Sequence, residues 1–266
     1  MLKFILRNNK CRIIAAIILL LMFIPVGSSY ADGVMSQNEE LFYEVSFLGI
    51  NLGSIKIITE GNDIINGVNA YKAKAFIDSY QGIPFVDLHT IYESWIDPTV
   101  TFSHQFVGHT KIENDWDYQF IGFDYKKGLI KTEKWFRKNK EFDLSFKTTK
   151  KWNEGLSLFF LARKYINLKR LIKIPTYLDR DTASTEINFT GKQESVSIDA
   201  VPYPVKCLYF SGQAFWKGIY GLSGKFEGWF STDEAHIPIK AKMNVYVGSV
   251  LIELKSWKRN GWSPPK

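Results

Sequence analysis

The chain is poor in the groups that announce chemistry. It holds two cysteines in 266 residues, Cys11 and Cys207, and Cys11 stands just before an N-terminal apolar run. Removal of that run leaves Cys207 alone, which excludes an intramolecular disulfide. Cys207 falls between Val205 and Tyr209 on an expected strand, with no helix start or basic cluster beside it, and reads as a buried, inert thiol. The four histidines are His89, His104, His109 and His236. The closest pair, His104 and His109, has an odd spacing on one expected strand, so the two rings point to opposite faces. His89 and Glu93 share a face but lie about 13 Å apart along it, too far for one ion. There is no HExxH, GxSxG, P-loop or dinucleotide fingerprint. Acids such as Asp97, Asp115, Asp117 and Asp233 sit at expected turns. These absences lead to the expectation of a non-enzymatic protein with no cofactor and no metal, a hydrolase built from distant acids being the weaker alternative.

Long apolar runs are also missing after the N-terminus. Lys3, Arg7, Lys10 and Arg12, with no acid among them, precede an apolar run from Ile13 to Val26, and Ser29, Tyr30 and Ala31 give a small-x-small cleavage pattern. This is the pattern of a secretory signal. The run is shorter than the ~18 residues of a membrane span, so a retained anchor is the second reading. The expected organisation is a signal peptide over 1–31 and a single β-rich domain over 32–266, exported to the periplasm or cell envelope of a bacterium, with no transmembrane span after signal removal. No Pro/Gly/Ser-rich tract divides 32–266.

What the chain does have is alternation. Ile237, Ile239, Ala241, Met243, Val245 and Val247 are apolar at every second position, with Pro238, Lys240, Lys242, Asn244 and Tyr246 between them, the period of a half-buried strand. The same signal, punctuated by Gly, Asn, Asp and Pro, predicts strands over 41–47, 54–59, 70–79, 86–96, 101–112, 116–123, 129–136, 141–148, 185–190, 194–199, 205–211, 225–231, 237–247 and 250–257, with a turn over 49–53. One stretch differs: Leu158, Leu161, Ala162, Tyr165 and Ile166 follow helical spacing between Asn153 and Asn167, with Asn153 as the expected N-cap and Glu154 in the first turn. The fold class is therefore all-β, mainly antiparallel, with one inserted amphipathic helix, in a curled sheet or barrel-like architecture. The helix is expected either to close the core or to cover a concave face.

Charge is unevenly placed. The net charge of +7 falls to +3 without the four signal cations, yet 126–173 holds fifteen Lys and Arg against four acids. Lys134, Arg137, Lys138 and Lys140 are the candidate binding residues of this basic segment, for a lipid head group, an acidic glycan or a partner protein. The competing reading is that lysines at hairpin tips and edges block edge-to-edge aggregation. Interleaved aromatics (Trp135, Phe136, Phe142, Phe146, Trp152) would elsewhere invite a nucleic-acid reading; export argues against it.

ELFYEVSFLGINLGSIKI (40–57), IYESWIDPTV (91–100), YQFIGFDYKKG (118–128), LSLFFLARKY (156–165) and GKFEGWFSTDEAHIPIKAKMNVYVGSVLIEL (224–254) together resemble the domain-of-unknown-function family 3108 of exported bacterial proteins. The resemblance implies an exported β-rich domain and supplies no catalytic or binding residue. Three functions remain in view: a binding protein for an apolar or amphipathic ligand such as a lipid or glycolipid, a scaffold or assembly partner of another envelope component, and a hydrolase of cell-wall or surface polymers.

Overall fold

The computed structural model describes residues 33–83, 87–216, 224–244 and 248–266. The signal-peptide reading of 1–31, Val86 and the end of the alternating run at Val245–Val247 lie outside them. Residues Ala31–Lys266 form one compact unit. Its strands are β1 (Glu39–Phe47), β2 (Ile50–Ile65), β3 (Val68–Ser79), β4 (His89–Ile96), β5 (Ser103–Ile112), β6 (Asp115–Asp124), β7 (Leu129–Phe136), β8 (Asn139–Lys147), β9 (Leu171–Leu178), β10 (Asp181–Val196), β11 (Val205–Ala214), β12 (Gly224–Ser231), β13 (Pro238–Asn244) and β14 (Ser249–Lys258), and the helix α1 (Gly155–Tyr165) lies between β8 and β9.

All fourteen strands join one sheet in the order β8-β7-β6-β5-β4-β3-β2-β1-β14-β13-β12-β11-β10-β9. The chain therefore enters at the middle, walks by hairpins to the edge β8, crosses through α1 to the opposite edge β9, and walks back until β14 pairs antiparallel with β1. The meander places the turns after β1, β3, β5, β7, β9, β11 and β13 at one end of the sheet. Local sequence explains the tight turns: Arg137 and Lys138 both adopt positive φ, 45° and 69°, the conformation a two-residue hairpin requires for matching strand twist.

The sheet is curled but not closed by a ladder between β8 and β9. A strap ahead of the helix bridges the gap instead. Ser103 N donates to Trp152 O at 2.9 Å, Asn153 N to Pro175 O at 3.0 Å, and Tyr177 N to Asn153 O at 2.8 Å. Across the same seam Thr132 Oγ1 donates to Asp179 O at 2.7 Å. Tyr177 of β9 thus packs with Phe106, Ile121, Phe123, Ile130 and Trp152.

Three expectations need correction. β9 is absent from the strands that alternation predicts; Pro175 and the basic flank hide its period, and a proline is tolerated there because β9 is an edge strand. The two strands predicted over 185–190 and 194–199 are one strand, β10, whose register slips between Phe189 and Gln193 around Gly191 at φ 69°, a bulge that reads in sequence as a turn. The turn expected over 49–53 is confined to Leu48–Gly49, and β2 begins at Ile50.

The helix is buried on more than its apolar stripe. Leu156 and Phe160 join the core cluster of β1, β2, β3 and β13, while Leu158, Leu161, Ala162 and Ile166 join that of β9, β10, β11 and β12. It acts as a wedge between the two halves of the curl.

Candidate functional site

Inward-facing side chains from most strands line a cavity of about 480 Å³ bounded by the concave face and α1. Its wall includes Tyr43, Ile55, Ala75, Ile121, Ile187, Phe210, Ala241, Met243 and Ile252, and α1 contributes Leu156, Leu158, Phe159 and Ala162. Alternation on strands explains why this lining is apolar. Two glycines let aromatic rings pack closely onto this wall. At Gly228 a Cβ would lie 2.6 Å from the Phe210 ring, and at Gly212 a Cβ would lie 2.3 Å from that of Phe226. Each glycine faces its aromatic across a strand pair, and the ring occupies the space a Cβ would take.

Two buried charged groups fix the helix. Arg163 is wholly buried and reaches Glu39, also buried, through two nitrogens at 2.7 and 3.1 Å. It also donates to Ala235 O at 3.0 Å, and Arg259 contacts the same Glu39 carboxylate. At the other end Glu154, not Asn153, is the N-cap: its carboxylate accepts from Leu156 N at 2.8 Å and Ser157 N at 3.0 Å, and Ser157 Oγ accepts from Glu154 N at 2.9 Å. Ser94 Oγ adds a donor at 2.5 Å. Burial pushes the Glu154 carboxyl above its ordinary value, and the hydrogen bonds from Ser94, Leu156 and Ser157 only partly oppose it. Asn153 sits one residue earlier and donates to Thr101 O at 2.9 Å as part of the strap.

The polar groups on the cavity wall include Glu227 and Lys240 on β12 and β13, and Gln119 and Asp179 on β6 and the turn after β9. Gln119 Nε2 donates to Asp179 Oδ1 at 3.4 Å, and Lys134 Nζ lies 3.8 Å from the same oxygen. Asp179 belongs to the turn after β9, so this cluster sits at the hairpin end of the sheet. Nearby on the wall Trp216 Nε1 donates to Thr185 Oγ1 at 2.8 Å. The Tyr43 hydroxyl is buried without a hydrogen-bond partner, and burial holds its pKa well above the usual range, with Arg163 opposing and Glu39 adding to the shift.

The four candidate cations lie together on the β7–β8 hairpin, but each faces an acid. Lys134 meets Glu141 at 3.4 Å, Arg137 meets Glu113 at 2.9 Å, Lys138 meets Asp115 at 3.3 Å, and Lys140 meets Asp143 at 2.9 Å and Glu133 at 3.5 Å. Of these four, Lys134 alone is near the cavity. The wider basic segment is dispersed: Arg163 is in the core, and Lys151 stacks on Phe102 and Tyr125 at 4.1 and 3.8 Å.

The acids singled out from sequence are scattered over separate turns. Asp97 pairs with His104 at 3.0 Å; burial acts to raise its pKa, but the hydrogen bonds from His104 and Thr99 prevail and hold it below the ordinary value. Asp115 and Asp117 are at the opposite end, on Lys138 and on Arg137 N, and Asp233 accepts from Trp262 Nε1 at 3.0 Å. Among the described residues no group of His, Cys, Asp and Glu is placed to hold a metal ion. Cys207 is buried, and burial, with Asp233 and Glu194 adding, pushes its thiol up to about 12. Gln119, Asp179 and Trp216 carry no sequence signal of their own. Among the described residues no helix is long and apolar enough to cross a membrane.

The architecture has relatives of known structure. A β-barrel-like protein of the domain of unknown function DUF1849 from Brucella abortus aligns with a TM-score of 0.58 at 12% identity, covering 85% of this chain and 98% of that one. A Bacteroides fragilis protein with a YmcC-like fold aligns at a TM-score of 0.37 and 7% identity, over 85% and 98% of the two chains, a level that carries no argument. The first of these likenesses shows the fold alone. No curated protein matches the chain. The sequence family described as protein of unknown function DUF3108 matches residues 43–255, and the chain belongs to that family.

Proposed function

We propose that this protein is a non-enzymatic binding protein of the cell envelope, taking an apolar or amphipathic ligand of the lipid or glycolipid class into the space between α1 and the concave sheet. The observation that carries the reading is the cavity of about 480 Å³ in the middle of the curl, a volume within the ~300–1,000 Å³ of small-molecule sites. Its lining is mainly apolar, with Glu227 and Lys240 on one part of the wall and Gln119 and Asp179, the latter beside Lys134, at the turn after β9. Such an interior suits an acyl chain, and the polar cluster suits the head group attached to it. Burying methylenes gains about 0.8 kcal/mol each, so ten or so offset an association cost of about 4 kcal/mol or more. The N-terminal signal pattern supports the compartment, where lipids and acylated glycans are available.

The test is gentle purification followed by solvent extraction and mass spectrometry, alongside titration with a fluorescent fatty acid. A co-purifying amphiphile, and at least tenfold weaker probe binding by Ala241→Phe with its circular dichroism unchanged, are expected. A chain that carries nothing and ignores the probe would sink the reading.

The scaffold reading keeps one specific observation, the uncovered edge of β8. The hydrolase reading has none, since its candidate acids lie on separate turns.

A further inference from the structure

The outward face of β9–β14 carries a second concavity, a groove of about 570 Å³, within the ~300–1,000 Å³ of small-molecule sites. Side-chain length explains it. On β11, Tyr209, Ser211 and Gln213 point outward by alternation, and Ser211 stands between Asn188 of β10 and Glu227 of β12. The short Asn188 and Ser211 form the floor, and the longer Tyr209, Glu186, Lys225 and Lys242 rise around it. Tyr209 Oη donates to Glu227 Oε2 at 3.1 Å, and its ring centroid lies 5.5 Å from that of Trp229, so this wall is fixed before anything binds. Groove and cavity lie back to back across β12, which contributes Phe226 and Glu227 to both.

We propose that this groove binds a neutral oligosaccharide. Elsewhere on the outward face long side chains close against one another as ions: Lys72 and Lys74 both lie on Glu60 and Glu93, and Lys255 lies on Glu44, Glu253 and Asp199. In the groove Glu186 meets Lys173 and Glu227 meets Lys242, each at 3.3 Å, but the amides of Asn188, Gln213 and Asn244 have no hydrogen-bond partner among the described residues. Each amide offers donors and an acceptor side by side, the complement of a sugar hydroxyl, which both donates and accepts. Other ligand classes fit poorly. A phosphate or sulfate would find one lysine, Lys225, without an acid partner among the described residues, where such anions take a fork of cations. A metal ion would find no ligand group among the described residues. A peptide would find no free sheet edge, since β10, β11, β12 and β13 are each paired on both sides, and little apolar surface beyond Leu171 and Phe226. Asn188 on β10 and Asn244 on β13 are three strand spacings apart, about 14 Å, the span of a short run of sugar rings, with Tyr209 as the aromatic wall beside them.

The experiment titrates the purified full chain with neutral trisaccharides of glucose, galactose, mannose and N-acetylglucosamine, read by calorimetry and saturation-transfer NMR, with trigalacturonate as the acidic comparison. At least one neutral trisaccharide is expected to bind, with an affinity that raised salt leaves unchanged. Ser211→Trp fills the floor of the groove, and Asn188→Leu combined with Gln213→Leu keeps its shape while removing two amides. Each is expected to weaken sugar binding about tenfold or more with circular dichroism unchanged; if Ser211→Trp unfolds the chain, the leucine pair still decides. A chain that binds none of the neutral sugars, binding that survives the leucine pair, or a salt-sensitive preference for trigalacturonate would each overturn the proposal. Sugar binding is expected both with and without the fluorescent fatty acid, so that failure of the cavity reading and failure of this one are separate results.

Discussion

Arg163 is a charge carried into a place from which water is excluded, and its surroundings account for it. Glu39 supplies the counter-charge and Ala235 O takes a further donor, while Arg259 shares the same carboxylate. Breaking such a group costs more than the group contributes, because the remaining partner stays buried. Arg163→Leu is expected to lose about 3 kcal/mol or more of stability by denaturant titration, with Arg259 left to hold Glu39. Glu154 gives a pH-dependent counterpart. Its folded pKa is raised above 4.5, so the native state binds the proton more tightly than the unfolded chain. Its contribution is therefore fully present below the unfolded value and is lost as pH rises through the raised folded value. Glu154→Gln is expected to flatten that decline: in denaturant titrations from pH 4 upward, wild type should lose stability relative to the variant. The opposite slope would show that the hydrogen bonds to the carboxylate outweigh its burial.

At the scale of elements, the strap and the helix do what a β8–β9 ladder would have done. Asn153 is the hinge of this arrangement, since its backbone pairs with Pro175 and Tyr177 and its side chain with Thr101. Asn153→Ala should cost about 1–2 kcal/mol through the loss of a buried hydrogen bond and should speed hydrogen exchange at the Tyr177 amide while β1–β4 keep their protection. The helix itself is legible from Leu158, Leu161, Ala162, Tyr165 and Ile166, all buried or half-buried. Its cap is not. Asn is the stronger N-cap by propensity, but Ser94 and Ser157, one of them sixty residues away, satisfy Glu154 and free Asn153 for the seam. Pairing across such distances leaves no periodic trace.

For the whole molecule, the pairing of β1 with β14 joins the two ends of the domain, with Tyr43 opposite Leu254. Loop closure over that separation is unfavourable until the intervening strands are in place. Refolding is expected on the millisecond-to-second scale. Leu254→Ala, at a fully buried position, should appear mainly as faster unfolding in stopped-flow measurements, because its contacts form late. If it slowed folding by as much as it destabilised the protein, the central pairing would instead belong to the nucleus.

Strand period and the existence of one helix are properties of neighbouring residues, and the sequence alone determined them. Period two assigns each side chain to a face, which is why the spacing of Ile237, Ile239, Ala241 and Met243 is enough to mark them as interior. The tertiary structure decided what that interior is. Whether an inward face is packed or hollow depends on how far the sheet curls, how the Phe210 and Phe226 rings settle over Gly228 and Gly212, and how Arg163 and Glu154 hold the helix against it. It likewise decided that Arg137 and Lys138 meet Glu113 and Asp115 of the β5–β6 turn, and that β8 keeps an open edge while β9 does not. These are contacts between residues distant in the chain, set by the crossover through α1, and no local pattern encodes them.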